Sequence, residues 1–184
     1  MVQRRDVDDG ITAAALELLR SNGPRSVTVE AVAARSGIAK TTIYRRHRDR
    51  GDMLTVALSR VSSPEPLPEE ADAAALLRWL IKNAVVIVED GIGVGGFAAL
   101  LTAEDPEFTA VFRQILSGQR AKLEAVVEKA TTDGVIRADV EPEDLVDAIV
   151  GAHIAERART GQVDEGWAER LFALFWPVIR ATAR

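Results

Sequence analysis

Cysteine is absent from the 184 residues, which excludes a disulfide scaffold, thiol catalysis and cysteine-ligated zinc. Histidine occurs only as His47 and His153, too few for a histidine-rich metal centre. Aromatic residues make up 5% of the chain, yet 47% is hydrophobic, which sets it apart from a disordered tail. Long apolar runs are missing as well. The longest aliphatic stretch, Ala84 to Val88, is far shorter than the roughly 20 residues that cross a bilayer. No apolar run follows Arg4 and Arg5, so the start does not read as a signal peptide, and the expected location is cytoplasmic. Neither Gly-x-Ser-x-Gly nor His-Glu-x-x-His occurs, and no stretch alternates with a strand's period of two. The expectation is therefore a protein without catalytic residues, metal or cofactor.

The net charge is −5 and the isoelectric point about 5.2. As an average, that argues against nucleic acid. The distribution argues the reverse. Before Pro64 there are eleven basic and seven acidic residues, a net of +4, which leaves −9 on the remainder. Between Arg35 and Arg50 stand six basic residues and one acid, Asp49.

What fills the chain is helical periodicity. Ile11, Ala15, Leu18 and Leu19 share one helix face, and Asn22-Gly23-Pro24 stops that helix. Thr28 is a good N-cap for a second helix carrying Val29, Val32 and Ala33, which Gly37 ends. A short third helix covers about Ala39 to Arg46, and Asp49 caps a fourth containing Met53, Leu54, Ala57, Leu58 and Val61. Pro64, Pro66 and Pro68 then break the pattern. Further helices are expected from Ala71 to Glu89, from Asp105-Pro106 to about Ala130, from Pro142 to about Gly161, and from about Asp164 to Ala183. Pro177 should kink the last of these near Ala173. The Gly91–Gly96 run interrupts the middle helices and reads as a joint; as a phosphate loop it lacks a preceding strand and Gly-Lys-Ser/Thr.

The segment Lys40-Thr41-Thr42-Ile43-Tyr44-Arg45-Arg46-His47 mixes cations with hydroxyls. Phosphate oxygens accept from both, and Arg can read a guanine edge with two hydrogen bonds. Two short helices joined through Ser36-Gly37-Ile38 fit a helix-turn-helix, whose second helix enters the major groove.

Here the sequence resembles the TetR (tetracycline-repressor-like) family of bacterial transcriptional regulators. The resemblance rests on Ile11 to Leu54, about a quarter of the chain: Ser21-Asn22-Gly23, Thr28-Val29 before the second helix, Ala33 to Ile38 through the turn, and Thr42-Ile43-Tyr44. It implies an all-α homodimer with an N-terminal three-helix DNA-binding domain and a helical ligand-binding and dimerisation domain. On this reading residues 1–50 form the DNA-binding domain, 51–68 a linking helix and Pro-rich connector, and 69–184 the effector-binding and dimerisation domain.

The resemblance also assigns roles. Thr42 and Tyr44 donate to phosphates, Lys40, Thr41 and Arg45 face bases or nearby phosphates, and Thr28 caps its helix beside the backbone. Arg46 adds a cation, and Arg50 stands where a lysine is usual. His47 replaces an aromatic and either anchors the core or bonds a phosphate. Ala39 forgoes a side-chain cap, at a cost of about 1 kcal/mol, and Gly51 weakens the start of the fourth helix.

Two further sets complete the expectations. Val146, Ile149, Val150, His153 and Ile154 form one helical stripe, and Trp167, Leu171, Leu174, Phe175 and Val178 another. Either is partly core, and by the resemblance both belong to a symmetric dimer interface, with Gly151 permitting close approach. Trp79, Asn83, Val86, Phe97, Leu100, Phe108, Phe112 and Ile115 lie on the middle helices where the family seats effectors; apolar walls with few polar groups suit a small, largely apolar ligand. The expected function is a repressor released from a palindromic DNA operator by such an effector. The alternatives are a helical small-molecule-binding protein or enzyme without DNA binding, and a plain helical interaction protein. His153 and Glu156, at i and i+3, are too few to make a metal site.

Overall fold

The computed structural model describes residues 2–60 and 66–181, with backbone alone at 2–5, 87, 89 and 90. Val61 of the expected fourth helix, residues 62–65 of the Pro-rich connector and Ala183 of the expected last helix lie outside the described residues. Among the described residues the architecture is all-helical: α1 Val2–Asn22, α2 Val29–Ser36, α3 Lys40–Arg46, α4 Arg50–Ser59, α5 Ala73–Val86, α6 Gly93–Thr102, α7 Pro106–Thr132, α8 Pro142–Thr160 and α9 Trp167–Ile179.

The helix ends follow local chemistry. Thr28 Oγ1 accepts from the Ala31 amide at 3.1 Å, Asp49 Oδ1 from Asp52 at 2.8 Å, and Asp105 Oδ1 from Phe108 at 3.0 Å. Gly37 closes α2 and Gly161 closes α8 in the left-handed conformation that glycine adopts without strain. Ala39 gives α3 no side-chain cap.

The chain forms two compact units, and their division differs from the expected cuts at 50/51 and 68/69. The first comprises 1–63 with 87–117, and the second 64–86 with 118–184. Residues 87–117 thus belong with the N-terminal helices rather than with the C-terminal ones.

In the first unit, Ile11, Ala15 and Leu19 of α1, Val32 of α2, Ile43 of α3 and Leu54 and Leu58 of α4 form one core with Ile92, Ala99, Phe108 and Phe112. Ile43 is fully buried, so truncating it to Ala would cost about 2–5 kcal/mol. The Gly91–Gly96 run is not an open joint. A single π-helical stretch, Ile87–Ile92, leads directly into α6. The stretch lies against α1, where Arg20 Nε donates to the Gly91 carbonyl at 2.8 Å, and Gly93 turns with a positive φ of 65° that glycine adopts without strain.

In the second unit, Leu76, Leu77, Leu80 and Ile81 of α5 pack with Leu123 and Val127 of α7, Val146 and Ile149 of α8, and Trp167 and Leu171 of α9. Arg78 lies 3.7 Å over the Phe172 ring and donates to Glu169. The Arg137 amide donates to the Ile179 carbonyl at 3.0 Å, beside an isolated Ile136–Arg180 bridge. Helix α9 continues through Pro177, with Arg180 as its C-cap.

Candidate nucleic-acid interface

Helix α3 is only seven residues long, so its orientation depends on its neighbours. Ile43 fixes it to the core, and Gly37 sets the turn that delivers it from α2. With Ile43 inward, Lys40, Thr41, Tyr44 and Arg45 are all exposed, Tyr44 at 55%. These positions recur at i, i+1, i+4 and i+5 and form one polar face with a cation at either end. Thr42 is half-buried, and Thr28 is half-buried at its cap. The face pairs hydroxyl donors with exposed cations, the donor set that duplex phosphates and guanine edges accept from.

Three of the expected DNA-contacting residues lie elsewhere. Arg46 is turned back to α1, where its Nη1 donates to Asp8. His47 is buried, 6% exposed, and its Nδ1 stands 3.6 Å from Asp52. Of the two open readings of His47, burial favours the core anchor and leaves no ring face for a phosphate.

Arg50 departs furthest from expectation. Its Nε donates to the Val27 carbonyl at 2.8 Å and its Nη2 to the Pro24 carbonyl at 2.6 Å. The same Nη2 donates to Asp105 Oδ2 at 2.5 Å, and Nη1 to Glu107 Oε2 at 2.5 Å. Burial alone would lower the pKa of the guanidinium, but the bonds and charges of Asp105 and Glu107 raise it above the ordinary arginine value. Burial would likewise raise Asp105; the Arg50 bond, the Phe108 amide and the charges of Arg50 and Arg25 hold it below the usual carboxylate range. Arg50 is a structural clamp, not an outward cation. A Cβ on Gly51 would come within 2.6 Å of Glu107 Oε1, so a side chain there would make that carboxylate move. The sequence gives Arg50 only a cation's role, because its charged partners, Asp105 and Glu107, stand more than 50 positions away.

The eight expected effector-lining residues divide between the units. Leu100, Phe108 and Phe112 lie in the core of the first, with Phe97 and Ile115 half-buried against it. The rings of Phe108 and Phe112 stack at 5.5 Å. Trp79, Asn83 and Val86 belong to the second unit, where the Asn83 amide nitrogen donates to the Trp79 carbonyl at 2.8 Å.

The expected dimer stripes divide as well. Val146, Ile149, His153, Trp167 and Leu171 are buried within the second unit itself, with the His153 ring edge-on to Trp167 at 5.2 Å. Side chains enclosed by their own chain offer a partner no surface, which corrects the expectation for these five. Leu174 at 66% and Val178 at 53% are exposed, while Val150, Ile154 and Phe175 are half-buried. Glu156, next to His153 on α8, is held by Arg159 and by Arg170.

A basic recognition helix on a three-helix unit, followed by a larger all-helical remainder, defines the helix-turn-helix transcriptional regulators. Comparison with known proteins gives the family. Residues 11–56 match "Bacterial regulatory proteins, tetR family", and residues 67–175 match "Tetracyclin repressor-like, C-terminal domain". The second match alone covers more than half of the chain, and the protein belongs to the TetR family of transcriptional regulators, a family of DNA-binding proteins rather than enzymes. The HTH-type transcriptional regulator YdeS of Bacillus subtilis (strain 168) is 25% identical over 183 residues, covering 94% of this chain and 89% of YdeS. Among solved structures, a transcriptional regulator from Saccharomonospora viridis in complex with choline superposes with a TM-score of 0.67 at 17% identity, covering 97% of this chain and all of that one. The regulator FadR from Bacillus subtilis in complex with stearoyl-CoA gives 0.63 at 20% identity, covering 90% and 95%. No helix among the described residues is long and apolar enough to cross a membrane.

Proposed function

We propose that the protein is a homodimeric, cytoplasmic repressor that binds a palindromic operator through α3 and leaves it when a small, largely apolar effector binds. The observation that carries the DNA reading is the exposed face of Lys40, Thr41, Tyr44 and Arg45 on a helix locked by Ile43. Lys40 and Arg45 contact bases or adjacent phosphates, and Thr42 and Tyr44 donate to the backbone. Thr28 holds the first turn of α2 close to the same strand.

Pairing is assigned to the exposed part of the two stripes: Leu174, Val178 and Phe175 of α9 with Val150 and Ile154 of α8. Apolar side chains this exposed gain most from cover. A two-fold partner would meet the same residues in return.

For the effector, the relatives bound to choline and to stearoyl-CoA carry chemically different ligands, so the fold does not choose one. We assign the response to the first unit's apolar group, Phe97, Leu100, Phe108, Phe112 and Ile115. A ligand that reseats Phe108 shifts the first turn of α7, and Asp105 and Glu107 carry that shift to Arg50 at the head of α4. The ligand can move this equilibrium only by its differential affinity for the two arrangements.

The test is a titration of mixed-sequence duplex DNA at several salt concentrations. Tyr44→Ala and Arg45→Ala should each weaken binding, and Arg45→Ala should flatten the salt slope by about 0.9 per head. Unchanged affinity in both variants would remove the recognition-helix assignment.

A further inference from the structure

One residue on the reading side of the head has the wrong sign. Across residues 18–48 there are seven basic side chains and a single carboxylate, that of Glu30. It occupies the first turn of α2, beside the Thr28 cap. Its Oε1 lies 3.2 Å from Nζ of Lys40, the first residue of the recognition helix, and both side chains are more than half exposed. The hydrogen bond of its own backbone amide, and then the Lys40 ammonium, hold the Glu30 carboxyl below the usual carboxylate range.

An exposed pair of this kind contributes little stability. Its consequence is electrostatic. In helix-turn-helix proteins the N-terminal residues of the recognition helix are the ones that meet base edges. Lys40 is therefore the cation best placed for a base, and Glu30 neutralises it in the free protein. A phosphate that takes the ammonium from Glu30 also meets the carboxylate's repulsion, which an uncharged base edge feels far less.

We propose that Glu30 is a positioning and discrimination residue of the DNA-reading face: it withholds Lys40 from arbitrary phosphates and releases it to a base edge that accepts from it, such as guanine O6 and N7. This rests on the DNA-binding reading above. Glu30 suppresses the sequence-independent part of binding, which is mostly counterion release. It thereby widens the gap between specific and non-specific sites.

The test compares the wild-type chain with Glu30→Gln, Lys40→Met and the double variant on two probes: a mixed-sequence duplex, and the duplex that wild type enriches from a random pool. Glu30→Gln should tighten mixed-sequence binding about three- to tenfold and steepen its salt slope by about 0.9 per head, one extra phosphate neutralised. Affinity for the enriched duplex should change less, so the ratio between the probes narrows. In the Lys40→Met background Glu30→Gln should do almost nothing. An equal gain with and without Lys40 would mean a diffuse charge effect and overturn the proposal. So would no gain at all while wild type still binds and enriches a sequence. If wild type itself bound neither probe, the DNA-binding reading would fall and take this proposal with it. Circular dichroism melting of each variant separates these outcomes from misfolding.

Discussion

Arg50 Nη2 lies 2.5 Å from Asp105 Oδ2, joining the first residue of α4 to the residue that caps α7. The side chain of Asp105 is 8% exposed and that of Arg50 23%, so the contact is largely screened from water. Arg50 also satisfies the Val27 and Pro24 carbonyls ahead of α2. One guanidinium therefore ties the loop before the helix-turn-helix to the helix after it and to the start of α7.

Removing that group should look like a folding defect. Arg50→Ala leaves Asp105 buried without its counter-charge and should cost about 3 kcal/mol of stability in urea unfolding. Arg45→Ala, at an exposed position, should change stability by less than about 0.5 kcal/mol while weakening DNA binding. The opposite pattern would return Arg50 to the DNA face.

The same clamp predicts a pH dependence. The pKa of Asp105 is lowered in the folded state from its ordinary 3.8, so its contribution is fully present above that value and is lost as pH falls through the lower folded value. The stability difference between wild type and Asp105→Asn should thus stay constant from neutral pH to about 5 and shrink below 4. Urea midpoints for both proteins at a series of pH values measure it.

His47 places two ring nitrogens in the core without a hydrogen-bond partner among the described residues, with Asp52 at 3.6 Å. A buried polar group without a partner costs about 1–3 kcal/mol. His47→Phe should therefore raise the melting temperature at neutral pH and leave the salt slope of DNA binding unchanged. A shallower slope would place His47 on a phosphate.

On the last two helices, burial separates two classes of substitution. Leu174→Glu with Val178→Glu should give a folded monomer in sedimentation velocity, because both side chains are exposed in the single chain. Ile149→Glu should unfold the second unit, since Ile149 has no exposed surface. A dimer that survives the α9 double variant would move pairing to another face.

These predictions also mark how far the sequence could be read. Thr28, Gly37, Asp49 and Asp105 act within four residues of themselves, and the helix ends they dictate were expected where they occur. The exposed row on α3 followed from Ile43 being its apolar anchor. The roles that were missed depend on partners far along the chain. Nothing near Arg50 announces Asp105, and nothing near Arg46 announces Asp8. The stripe of Val146, Ile149 and His153 has one period whether it faces its own chain or a partner, so only the fold assigns it. Low helix propensity makes the glycines at 91–96 read as a break, whereas the Arg20 contact that holds Gly91 comes from 71 positions away.

The central claim is that two basic α3 faces on a two-fold dimer read DNA. Selection of bound duplexes from a random pool by the full-length protein tests it most directly. The account predicts an enriched palindrome whose half-sites are about 10 base pairs apart, centre to centre, one turn of the duplex. Enrichment of no sequence, or of a single unpaired half-site, would contradict it.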